Sequence, residues 1–129
     1  MDAIQNLEYG EIRIAEDVIA TIAGLSAIEV NGVAGMSGGL VGGIAEILGR
    51  KSLSKGVKVD INEKGGFIDL YLIVDYGTKI PEVAWEIQDK VKRAIEVMTN
   101  LEVIEVNIHV QGVNFLKATA EEGKPQGTK

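Results

Sequence analysis

Phe67-Ile-Asp-Leu-Tyr-Leu-Ile-Val-Asp-Tyr76, then Gly77-Thr-Lys-Ile-Pro81, decides the fold of this chain. The first ten residues alternate, so Ile68, Leu70, Leu72 and Val74 share one face of a strand by the two-residue period. Gly77 breaks the strand, and Pro81 falls at a first helical position, where its missing N–H costs nothing. Beyond it Ile80, Ala84, Ile87, Val91, Ala94, Met98 and Leu101 recur at helical spacing, while Glu82, Glu86, Asp89, Lys92, Arg93 and Glu96 fall opposite. Asn100 is a helix stop. Ile104, Val106, Ile108 and Val110 then alternate with Glu105, Asn107, His109 and Gln111, a half-buried strand. Strand, helix and strand in that order put a helix on one face of a sheet.

Working outward, Tyr9–Ile14 reads as a short strand and residues 1–8 as a loose lead-in. Glu16 and Asp17 suit a helix N-terminus, and Ala15, Val18, Ile19, Ile22, Ala23, Ser26 and Val30 form the face of a first helix ended by Asn31-Gly32. Gly24 falls opposite that face with Ala20 and Thr21, either on a wet surface or where a neighbour approaches closely. Glu29 projects into the apolar arc, and the cost of burying a charge favours a wet carboxylate beyond the core edge. From Gly32 to Gly49 glycines interleave with apolar residues, which reads as a strand at Val33–Met36, a hinge, and a brief helix near Leu40–Leu48. Val57, Val59 and Ile61 alternate in a further strand, and Glu63-Lys64-Gly65-Gly66 turns it back into Phe67. Residues 116–129 read as a disordered tail. The expected architecture is a two-layer α+β domain over residues 9–115. Two main helices pack on one face of a mixed or antiparallel sheet of about five strands, with a mobile glycine-rich segment.

At 129 residues, with 46% apolar residues and a net charge of −6, the chain is a single globular domain that needs no staples. The acidic balance argues against a general grip on nucleic acid. No cysteine is present, which excludes disulfides, thiolate metal sites and cysteine nucleophiles and fits a reducing cytoplasm. The N-terminus carries no secretory signal pattern, and no apolar run approaches the ~20 residues of a membrane span.

Reactive chemistry is sparse. His109 is the one histidine, on the polar face of the last strand, with no serine or cysteine pattern beside it. With Asp60 and Asp69 it has the ligand types for a metal if their strands are neighbours, but no spacing within one element supports that. The glycine segment contains neither GxGxxG nor GxxxxGK[ST]. Its GXXG spacings match those of KH domains, yet aromatic residues for base stacking are only 5% of the chain. Trp85 projects away from Ile87, among Lys92, Asp89 and Glu96, as an exposed interface anchor or a ring covered by another segment. Tyr71 and Ile73 leave apolar area on an otherwise polar sheet face beside His109. Trp85, Tyr71, Ile73, His109, Leu40 and Ile44 are the candidate partner contacts. No catalytic, cofactor or metal site is assigned.

Several ordered blocks resemble the alkaline shock protein family: Tyr9-Gly-Glu-Ile-Arg-Ile-Ala-Glu-Asp-Val-Ile19, Ala27-Ile-Glu-Val-Asn-Gly-Val33 with Gly35-Met36, and Lys55-Gly-Val-Lys-Val59. Val74-Asp-Tyr-Gly77 with Ile80-Pro-Glu-Val-Ala84, and Val106-Asn-Ile-His-Val-Gln-Gly-Val113, continue the match to about Phe115. Trp85 is not part of that pattern. The resemblance implies a small cytoplasmic protein of Gram-positive bacteria, linked to envelope and alkaline stress and without known catalysis. It further implies self-association and contact with either a membrane-anchored protein or an acetyl-CoA carboxylase-type enzyme of lipid synthesis. Location at the membrane would then be peripheral, through that partner. Two other readings stay open: a KH-like RNA-binding domain, and a small-ligand or acyl sensor with the glycine-rich segment as its lid.

Overall fold

In the computed structural model, which describes residues 2–37 and 54–115, a long central strand carries the domain. In chain order the elements are β1 (Ala3–Leu7), β2 (Gly10–Ile14), α1 (Glu16–Ile28), β3 (Val33–Met36), β4 (Val57–Asn62), β5 (Gly65–Asp75), α2 (Ile80–Thr99) and β6 (Val103–Asn114). The brief helix expected near Leu40–Leu48, with Leu40 and Ile44, and the tail at 116–129 lie outside the described residues.

β5 sits in the middle of a four-stranded mixed sheet. On one side β6 runs parallel to it along nearly its full length, from Gly66↔Val103 to Asp75↔Asn114. Parallel strands need a crossover, and α2 supplies it. On the other side β4 and β3 pair antiparallel with successive halves of β5, β4 with residues 65–70 and β3 with residues 72–74. They meet at Tyr71, whose carbonyl accepts from the Ser37 N–H at 2.7 Å while its own N–H donates to the Gly56 carbonyl at 2.8 Å. Only glycine fits at 56, because a Cβ there would lie 2.7 Å from the Tyr71 carbonyl oxygen and 3.0 Å from that of Ser37. The β4–β5 turn closes on Gly65 at φ +139°, a conformation side chains rarely adopt.

Both helices pack on one face of this sheet and against each other. Ile68, Leu70, Leu72 and Val74 of β5 are buried beneath Ile19, Ala23 and Ala27 of α1 and Ile87, Val91 and Ile95 of α2. The α+β two-layer arrangement is as the sequence indicates, with six strands among the described residues where about five were expected.

Four local readings are corrected. Residues 2–8 are not a loose lead-in, since Ala3–Leu7 pairs antiparallel with β2 in a separate two-stranded sheet. Its anchors are buried Ala3, the half-buried Ile14, and the Gln5 side chain, which donates to the Thr99 carbonyl and accepts from Asn100 Nδ2. On α1 the apolar face is broader and rotated: Val18 is 49% exposed, whereas Ala20 and Gly24 are buried, so the wet-surface reading of Gly24 fails. Small side chains on that arc let the helix be covered on more than one side. On α2 the buried line is Val83, Ile87, Val91, Ile95 and Thr99, leaving Met98 68% exposed. On β6 a bulge at Ile104 breaks the alternation, so Val103 and Val106 face inward and Ile104 is turned out.

Candidate functional site

The sheet face away from the helices is open, and its side chains line up in rows set by strand register. Phe67 lies between Asp60 and Glu105, Asp69 between Lys58 and Asn107, and Tyr71 beside His109. In the next row Ile73 lies between Gly35 and Gly112. Flanked by two glycines, the Ile73 side chain is a half-buried apolar knob with no side chain beside it in its row.

Tyr71 and His109 stack with ring centroids 4.4 Å apart and planes 9° from parallel. His109 Nε2 lies 3.0 Å from Asp69 Oδ1, and the Lys58 ammonium sits 5.5 Å from the Tyr71 ring centroid. Ser37 Oγ donates to Gln111 Oε1 at 2.6 Å, tying the end of β3 to the second bulge of β6 across β5. The Tyr71 and His109 rings are therefore held by contacts to each other, to Lys58 and to Asp69. Register brings together three of the sequence candidates, Tyr71, Ile73 and His109. Asp60 and Asp69 do lie on neighbouring strands, but among the described residues no three His, Cys, Asp or Glu side chains converge as a metal site would require.

Trp85 lies on the other layer. It is 64% exposed on the outer side of α2, beside a shallow depression of about 350 Å³ between the end of α1 (Glu29–Asn31) and Asp89, Lys90 and Arg93. Glu29 is solvent-facing and pairs with Lys90 at 3.0 Å, and Arg93 pairs with Asp89 at 3.1 Å. Helical projection groups Trp85 with Lys92 and Glu96, but these two turn the other way, toward β6. Trp85 and the Tyr71–Ile73–His109 face thus belong to opposite sides of the molecule and cannot form one patch.

Sequence reasoning missed what Lys92 and Glu96 do. β6 has no strand on its outer side among the described residues. Its first half is instead capped by α2: Val103 N–H donates to Glu96 Oε2 at 3.0 Å, Lys92 Nζ donates to the Val103 carbonyl at 2.7 Å, and Gln88 Nε2 to the Val106 carbonyl at 2.9 Å. Lys92 also donates to Glu96 Oε2 at 2.8 Å. The Lys92 bond, then the Val103 N–H, hold the Glu96 carboxyl below its ordinary range against an opposing effect of burial. The i, i+4 spacing of Gln88, Lys92 and Glu96 was visible in the sequence; its strand partner was not.

The described residues make a small α+β domain with two exposed apolar areas, the Tyr71–Ile73 face and Trp85, and no cluster of metal-ligating side chains. The sequence model of the alkaline shock protein 23 family, described as having a cell envelope-related function, matches residues 4–115. This chain belongs to that family. It is 40% identical over 111 residues to the uncharacterized protein YqhY of Bacillus subtilis, covering 86% of this chain and 82% of that one. To the uncharacterized protein YloU of the same organism it is 44% identical over 108 residues, covering 82% and 90%. A protein of Streptococcus pyogenes named as a stress response regulator gls24 homolog is 30% identical over 102 residues, 78% of this chain and 57% of that one. No solved structure matches the chain significantly. No helix of the described residues is long and apolar enough to cross a membrane.

Proposed function

We propose that this protein is a non-catalytic interaction domain in cell-envelope homeostasis, acting by self-association and by binding a membrane-anchored protein or an enzyme of lipid synthesis. The observation that carries this reading is the open sheet face. Ile73 stands between two glycines next to a stacked Tyr71–His109 pair, so apolar and aromatic area is held ready in water at no further ordering cost. The Trp85 corner on the opposite layer supplies a second surface, so one copy can contact two neighbours at once. A phosphate backbone laid on the open face would meet Asp60, Asp69 and Glu105, which weighs against RNA binding at that face.

The test is affinity purification of the full chain from its native host with in-cell crosslinking, with sedimentation of the purified protein alongside. Self-association on sedimentation, and a membrane-anchored protein or a carboxylase subunit among the crosslinked species, are expected. A monomer at high concentration would remove the self-association half. Recovery of RNA in place of protein would overturn the whole.

A further inference from the structure

We infer that the open sheet face docks a basic amphipathic helix of a protein partner, with a Lys or Arg seated over Phe67 and an aliphatic side chain against Ile73. The inference rests on the interaction reading above and adds the chemistry of what that face takes.

Charge complementarity carries it. Among the described residues the face presents three carboxylates in adjacent rows, Asp60, Asp69 and Glu105, against one ammonium, Lys58. Asp60 and Glu105 are exposed on either side of Phe67, and neither has a cationic partner among the described residues; Glu105 only accepts from Asn107 Nδ2 at 3.3 Å. One row along, Asp69 accepts from His109. The face already shows how it treats a cation, because Lys58 places its ammonium over the Tyr71 ring. Phe67 has no such cation among the described residues, so an aromatic ring between two carboxylates is left for one from outside.

Dimensions select a helix. Strands lie about 4.8 Å apart, so three side by side make a platform about 10 Å across, the width of one helix. Phe67 and Ile73 are six residues apart, about 20 Å along the strand. That distance spans about 13 residues of helix. A partner helix therefore needs a basic residue near one end of its contact face and an aliphatic one near the other, about three and a half turns away.

The test titrates the isotope-labelled full chain with an 18-residue Leu/Lys amphipathic helical peptide and with its Leu/Glu counterpart, read by amide shifts. The Leu/Lys peptide should shift Phe67, Ile73 and His109, with binding weakened by raising salt from 50 to 300 mM. Asp60→Lys with Glu105→Lys should weaken it at least tenfold, and Asp60→Asn with Glu105→Gln should do so in part. Glu82→Lys with Glu86→Lys, on the outer side of α2, should change it less than twofold. Equal binding of the Leu/Glu peptide, equal loss from both reversals, or shifts confined to α2 would overturn the inference. If a native partner then still shifts the open-face amides, the interaction reading survives and only its charge assignment is lost.

Discussion

Changing Glu96 to Gln keeps the shape of the β6 cap and removes only its charge. Glu96 accepts from the Val103 N–H at 3.0 Å and from Lys92 Nζ at 2.8 Å. Hydrogen bonds to a charged group contribute about 1.5–3 kcal/mol, and exposed i, i+4 ion pairs about 0.3–0.5 kcal/mol. The Glu96 side chain is 34% exposed, and Gln can still accept from Val103, so the expected loss is about 1 kcal/mol at pH 7. For a domain of this size that lowers the melting temperature by about 4 °C. The pH dependence has a definite sign. Because folding lowers the Glu96 pKa, its contribution is present above the unfolded glutamate value of about 4.3 and is lost as pH falls through the folded value. Urea denaturation of both proteins from pH 7 down to pH 3 should therefore show a gap that closes in acid. Equal stability at pH 7, or a gap unchanged at pH 3, would refute the assignment of Glu96 as a charged cap.

Three further outcomes follow from the geometry. Gly56→Ala pushes a Cβ against two backbone carbonyls and should cost about 1–3 kcal/mol in urea denaturation, with amide shifts centred on Tyr71; a neutral result would contradict the tight β3–β4 junction. Asn100 holds φ +62° at the end of α2, so Asn100→Gly should be close to neutral while Asn100→Val should cost roughly 1–2 kcal/mol, measured by thermal melting. Trp85→Ala should leave stability within about 0.5 kcal/mol while reducing recovery of a partner in pull-downs, and unchanged recovery would remove Trp85 as an anchor.

The sequence was most legible where one period ran without interruption. β5, β3, β4, the Pro81 start of α2 and its Asn100 stop all lie where local pattern and turn chemistry put them. Reading failed where a long-range contact set the outcome. The short strand Ala3–Leu7 shows no apolar–polar alternation and is fixed by pairing to β2 and by Gln5 at Thr99. The bulge at Ile104 turns that residue out and Val103 in, where strict alternation assigns Ile104 to the core, while Val106, Ile108 and Val110 keep their expected side. Small residues such as Ala20 and Gly24 carry too little hydrophobic signal to mark their side of α1 as buried. The open face was half visible: Tyr71 and Ile73 stood out by alternation, whereas the glycines beside Ile73, the carboxylates beside Phe67 and the ring stack depend on register between strands.

The most direct measurement of whether this molecule works by contact is site-specific photo-crosslinking in native-host cells, with a benzophenone amino acid placed at position 73 and, as control, at the exposed turn residue Lys64. Discrete protein adducts at position 73 and none at position 64 are the expected result. Equal labelling at both positions, or no adduct at 73 in cells where the folded protein is present, would contradict a contact role for the sheet face.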